Sequence, residues 1–123
     1  MTARVMVIDD SQLVRRQVTA ALKGPGYLVT EAVDGLDALE KLAGLSDTRL
    51  IVCDVNMPRM NGIELLERLK AQGSLVPVVM LTTEGQPELI QRARSLGAKG
   101  WIVKPFKAEA LVATAAKLAP LVA

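Results

Sequence analysis

The chain has 123 residues, half of them apolar, with 15 Lys and Arg against 13 Asp and Glu for a net charge of +2. That length suits one domain with a single sizeable core, and no apolar run approaches the roughly eighteen residues of a membrane span. Scattered basic residues, only Tyr27, Trp101 and Phe106 as aromatics, and no histidine argue against a nucleic-acid surface and exclude a histidine nucleophile or metal ligand.

Thr2-Ala3-Arg4 leads directly into a strand pattern with no cleavage site, so no secretory signal is expected. Cys53 is the only cysteine. A reducing, cytoplasmic setting fits, and its apolar flanks predict a packed core thiol. The first strand, Val5-Met6-Val7-Ile8, runs into Asp9-Asp10. Ser11 can cap a helix in which Leu13, Val14, Val18 and Leu22 recur, and Gly24-Pro25-Gly26 stops it. Tyr27 to Thr30 reads as the second strand. Asp34 can cap the next helix, with Leu36, Leu39, Leu42 and Ala43 on one side. Leu50-Ile51-Val52-Cys53 ends at Asp54. Asn61 opens the third helix with Glu64 three residues on, close to a reciprocal cap, and Ile63, Leu66 and Leu69 face the core.

Val78 to Leu81 ends at Thr82-Thr83. Pro87 and Glu88 suit the first turn of the fourth helix, Leu89, Ala93 and Leu96 its buried stripe, and Gly97 its left-handed exit. Trp101-Ile102-Val103 ends at Lys104-Pro105, and the fifth helix spans about Lys107 to Leu118, with Leu111, Val112 and Leu118 inward. Apolar strands alternating with helices predict an α/β fold: a doubly wound, five-stranded parallel sheet of order 2-1-3-4-5, flavodoxin-like, flanked by five helices. Residues 1–123 are filled by one domain, with none left for an output domain.

Right-handed crossovers bring the strand ends to one edge, where Asp9, Asp10, Asp54, Thr82 and Lys104 meet. Closely set carboxylates repel, so one keeps a proton or a cation neutralises them. Hard oxygen donors predict Mg²⁺, with Asp10 and Asp54 as direct ligands, Asp9 acting through water and a carbonyl after Asp54 completing the set. Singly, each group has an ordinary reading: Asp9-Asp10 or Thr82 as helix caps, Lys104 as a solvated charge. Together they point to phosphoryl chemistry.

Four motifs carry a resemblance across essentially the whole chain: Val-Ile-Asp-Asp-Ser at 7–11, Asp-Val-Asn-Met-Pro-Arg-Met-Asn-Gly at 54–62, Leu-Thr-Thr-Glu at 81–84 and Gly-Ala-Lys-Gly-Trp-Ile-Val-Lys-Pro-Phe at 97–106. The sequence resembles the receiver domain of bacterial response regulators, most of all the single-domain, chemotaxis-type (CheY-like) members. The resemblance implies that Asp54 accepts a phosphoryl group from a histidine kinase. Asp10, Asp54 and the Asn56 carbonyl would hold Mg²⁺, with Asp9 behind them, and Lys104 would pair with the phosphoryl group. A cis Lys104–Pro105 bond is implied as well. Thr82 would shift toward the phosphoryl oxygen and an aromatic turn inward, here Trp101 in place of the usual Tyr or Phe. Asn56 and Glu84 would border the path of the hydrolytic water.

The output face would comprise residues 86–96, 100–103 and 107–117, made basic by Arg92, Arg94, Lys99 and Lys107. The implied protein is a signalling phosphoacceptor, not an enzyme, that assists its own phosphorylation and dephosphorylation. Its implied partners are the kinase, a downstream target such as a flagellar motor switch component, and a phosphatase, with no nucleic acid or membrane. A phosphate sink or relay receiver in another pathway would share these motifs. A degenerate receiver would not keep all five groups. Two other readings use the same sheet. A flavodoxin-like cofactor binder would need aromatics and a loop without Asp-Asp. A Mg²⁺ phosphohydrolase would place its aspartate on the first strand.

Overall fold

The computed structural model describes residues 3–121. Five strands, β1 (Arg4–Ile8), β2 (Leu28–Ala32), β3 (Thr48–Cys53), β4 (Val78–Thr82) and β5 (Gly100–Val103), alternate with five helices. These are α1 (Gln12–Lys23), α2 (Gly35–Leu42), α3 (Gly62–Ala71), α4 (Pro87–Ser95) and α5 (Ala108–Leu118). All strands pair in parallel in the order β2-β1-β3-β4-β5. This is the doubly wound sheet expected from the sequence.

Side chains alternate across a strand, so each central strand feeds two cores. Met6, Ile8, Ile51, Cys53 and Met80 face α2, α3 and α4, where Ala38, Leu65, Leu66, Leu69 and Ala93 close the layer. Val5, Val7, Leu50, Val52, Val79 and Leu81 face α1 and α5 through Val18, Leu22, Leu111 and Ala115. Burial on both faces is why these strands are apolar throughout. No helix among the described residues is long and apolar enough to cross a membrane.

Local signals set the helix starts. Ser11 accepts from Val14 N, Asp34 from Asp37 N, and Asn61 and Glu64 form a full capping box. Gly97 takes the left-handed exit with φ 99°.

Several core assignments change. Leu13 is 66% exposed. Val14, Val18 and Leu22 already lie four apart on one stripe, and Leu13 sits roughly 100° around from it. Leu36 and Ala43 are also exposed, and α2 buries Ala38 with Leu39 and Leu42 half covered. In α3 the fully buried Leu65 joins Leu66 and Leu69, and Ile63 packs half-buried against the same cluster as expected. The second strand starts at Leu28 and runs to Ala32 because Leu28 is the residue in register with Arg4. Tyr27 is buried before it, and its hydroxyl donates to Ala119 O at 2.8 Å.

Candidate functional site

Strand register builds the site. Ile8 lies opposite both Ala32 and Cys53, so the next residues, Asp9 and Asp54, leave the sheet side by side. Their backbones stay in the ladder: Asp9 N donates to Ala32 O at 3.1 Å and Asp54 N to Ile8 O at 2.9 Å. Thr82 is opposite Val103, and Lys104 N donates to Thr82 O at 2.8 Å, which brings the last two groups to the same edge. Gly62, at the start of α3, permits a close approach: a Cβ there would collide with the Asp54 carbonyl and the Met80 methyl.

Asp9, Asp10 and Asp54 each present a carboxylate oxygen within 4.8 Å of the others. Asp9 and Asp54 are buried, and Asp10 is exposed. Lys104 Nζ bridges the two buried acids, at 2.8 Å from Asp9 and 3.3 Å from Asp54. Asp9 also accepts from Ser11 N, and Asp54 from Val55 N at 2.7 Å. Burial pushes the Asp9 carboxyl above its usual value and the Asp54 charge adds to that, against the bonds from Lys104 and Ser11. For Lys104, burial alone would lower the pKa, but its two carboxylate partners raise it.

Three carboxylates against one ammonium leave a formal charge of −2. A partly buried site screens that charge poorly. The donors are hard oxygens with one acid open to solvent, so the residues fit Mg²⁺ with several retained waters.

The remaining predicted residues converge on Glu84. Its N–H donates to Thr82 Oγ1 at 3.2 Å, its carbonyl accepts from Trp101 Nε1 at 2.9 Å, and its carboxylate accepts from Asn56 Nδ2 at 2.5 Å. The resemblance implies only a place on a water path for Glu84, and its part in joining Thr82 to Trp101 is not legible in the sequence because two of these bonds use its backbone. Trp101 is half-buried and packs on the α2–α4 side of the sheet. Its indole N–H has the partner its polarity requires. The Lys104–Pro105 bond is cis.

Two contributors were not read from the sequence. Arg15 donates to Asp9 O at 2.7 Å while paired with Glu31, bracing the backbone of an acid from α1. Arg59 forks onto buried Asp34, the α2 cap. Helical periodicity gives no hint of either.

The chain matches the family model described as response regulator receiver domain over residues 5–116. It is 38% identical over 111 residues to chemotaxis protein CheY1 of Helicobacter pylori, covering 88% of this chain and 90% of the relative. The solved structure of CheY4 of Vibrio cholerae aligns with a TM-score of 0.88 at 39% identity, over 96% of this chain and 99% of that one. A Borrelia burgdorferi complex of CheX with CheY, BeF3 and Mg²⁺ aligns with a TM-score of 0.88 at 26% identity, over 94% of this chain and 87% of that one.

Proposed function

The chain belongs to the response regulator receiver family and is homologous to the CheY chemotaxis regulators, and on that premise we propose that Asp54 is its phosphoacceptor. The observation that carries this reading is the bridge of Lys104 to Asp9 and Asp54, with Asp10 beside them. A carboxylate oxygen of Asp54 forms a bond to phosphorus as the nitrogen–phosphorus bond of a kinase phosphohistidine breaks. The electron pair returns to the imidazole, which leaves neutral because its other nitrogen already holds a proton. No histidine of this chain can be the donor, since it has none.

Asp10, Asp54 and the Asn56 carbonyl would hold Mg²⁺, with Asp9 acting through water. The ion supplies charge neutralisation between the attacking carboxylate and the phosphoryl oxygens. Lys104 provides a positive charge within reach of the same oxygens. Thr82 is fully buried, and its hydroxyl accepts from Glu84 N while keeping its own hydrogen free to donate. Turning that hydroxyl to a phosphoryl oxygen strains its bond to Glu84 and moves the loop that also holds Trp101. The change then reaches α4, β5 and α5, the surface assigned to a target protein.

Chemotaxis is the pathway this reading favours, with a flagellar motor switch component as target, because the relatives are chemotaxis regulators. A phosphatase is among the partners this reading expects, and in the Borrelia burgdorferi structure a CheY is complexed with CheX. A phosphate sink or relay receiver would use the same site with another target. Asn56 and Glu84, bonded to each other beside it, are suited to orienting a hydrolytic water, so the chain assists both gain and loss of the phosphoryl group.

Incubation with Mg²⁺ and a radiolabelled small acyl phosphate tests the assignment. The wild type should take up one equivalent and change its Trp101 fluorescence, whereas Asp54→Asn should do neither. Equal labelling of the two proteins would defeat it.

A further inference from the structure

Arg59 has a left-handed backbone, φ 65°, the only non-glycine residue among those described to do so. That conformation is uncommon for a residue with a Cβ and persists where surrounding contacts hold it. Here the contact is a fork: Arg59 Nε donates to Asp34 Oδ2 at 2.7 Å and Nη2 to Oδ1 at 3.1 Å. Asp34 is a fixed anchor, because it is 2% exposed and its Oδ1 also caps α2 by accepting from Asp37 N at 2.8 Å. The guanidinium holds the Asp34 carboxyl below its usual range.

Other bonds turn this pair into one end of a strung loop. Met60 O accepts from Gly35 N at 3.0 Å, and a Cβ on Gly35 would collide with Met60. Gly62 N donates to Val55 O at 2.9 Å, closing the neck of the loop beside Asp54. On the far side Asn56 is tied to Glu84. Residues 55–62 are therefore held at Asp34 and Gly35 on one side and, through the Asn56 side chain, at Glu84 on the other.

We propose that Arg59 is a positioning residue for the cation site: by clamping Asp34 it fixes the loop that presents the Asn56 carbonyl. The inference rests on reading the acidic cluster as a Mg²⁺ site. Mg²⁺ affinity then depends on an ion pair that touches neither the cation nor the phosphoryl group. Groups bonded directly to metal ligands typically change affinity by about 10- to 100-fold, and Arg59, one step further out, belongs at the low end of that range.

Calorimetric titration of Mg²⁺ into the full chain, with thermal unfolding in EDTA alongside, provides the test. Arg59→Ala and Arg59→Gly should each weaken Mg²⁺ binding by about tenfold. The glycine variant relaxes the left-handed backbone, so its unfolding temperature in EDTA should stay near that of the wild type while its Mg²⁺ affinity falls. Arg59→Lys, which keeps the charge without the fork, should recover only part of the affinity. Wild-type Mg²⁺ affinity in the glycine variant overturns the positioning role and leaves the metal site intact. A wild type that takes up no Mg²⁺ overturns the metal reading, and this inference with it.

Discussion

Cys53 stands one residue before the carboxylate assigned as nucleophile, yet the structure makes it chemically quiet. It is 1% exposed, and its thiol donates to the Asp54 carbonyl at 3.1 Å. Burial pushes the thiol far above its usual range, and the charges of Asp54 and Asp9 push it further. Only the thiolate is nucleophilic, so the folded protein should be inert to a disulfide reagent near neutral pH and react fully once unfolded. Rapid stoichiometric labelling of the native protein would contradict the packing described. At this scale the sequence was most informative. An acid or hydroxyl ending an apolar run is a chemical signal in itself, and Asp9, Asp54, Thr82 and Lys104 could be read that way. The sequence groups Leu13 with Val14, Val18 and Leu22, but it lies on the solvent side of α1, because an apolar side chain does not by itself say which face of a helix it takes.

Elements are held to one another by contacts that cross long stretches of sequence, and these were the least legible. Asp34 could be read as the cap of α2 from its position, but its partner Arg59 lies 25 residues away and is recognised only through geometry. Asp34 is therefore a joint between α2 and the loop before α3. Removing its side chain in Asp34→Ala deletes the cap and strands the Asp37 N–H, at a cost of about 2 kcal/mol at neutral pH. Arg59 is 58% exposed, so its half of the pair adds little beyond that. The pH dependence has a definite sign. The Asp34 carboxyl is held below its usual value near 3.8 in the fold, first by the bond from Arg59. Its stabilising contribution is thus present above about pH 4 and is lost as the pH falls through the folded value. Urea unfolding of wild type and Asp34→Asn, which keeps an oxygen for the cap, should show the variant less stable at pH 7. The two curves should draw together as the pH falls through the folded value of Asp34. A gap of unchanged size across the whole acid range would mean that charge is not what this joint uses.

The whole molecule has an electrical layout that its net charge of +2 conceals. All helices return antiparallel to the strands, so their N-termini lie along the edge that carries the acidic cluster. Asp37, Glu64, Glu88 and Glu109 sit in first turns, whereas Lys23, Lys41, Arg68, Lys70, Arg92, Arg94 and Lys117 sit in last turns. Each placement favours its own helix through the dipole. The result is an acidic edge opposite a basic one. Topology could be anticipated from the alternation of runs, but strand register and the extent of charge imbalance at the site needed the structure. Lys104 alone opposes three clustered acids, so a divalent cation should stabilise the fold by relieving repulsion already present. A ligand at ten times its Kd adds about 1.4 kcal/mol, or roughly 5 °C in Tm for a domain of this size. Asp10→Asn removes one of the repelling charges, so its Tm in EDTA should lie at or above that of the wild type while most of the Mg²⁺ increment is lost. Na⁺ at matched ionic strength should give a much smaller rise, since screening acts weakly on partly buried charge. If Na⁺ and Mg²⁺ raised the Tm equally, or if Asp10→Asn kept the full increment, the cation would be answering to the general field of the acidic edge, and the cluster would not be its binding site.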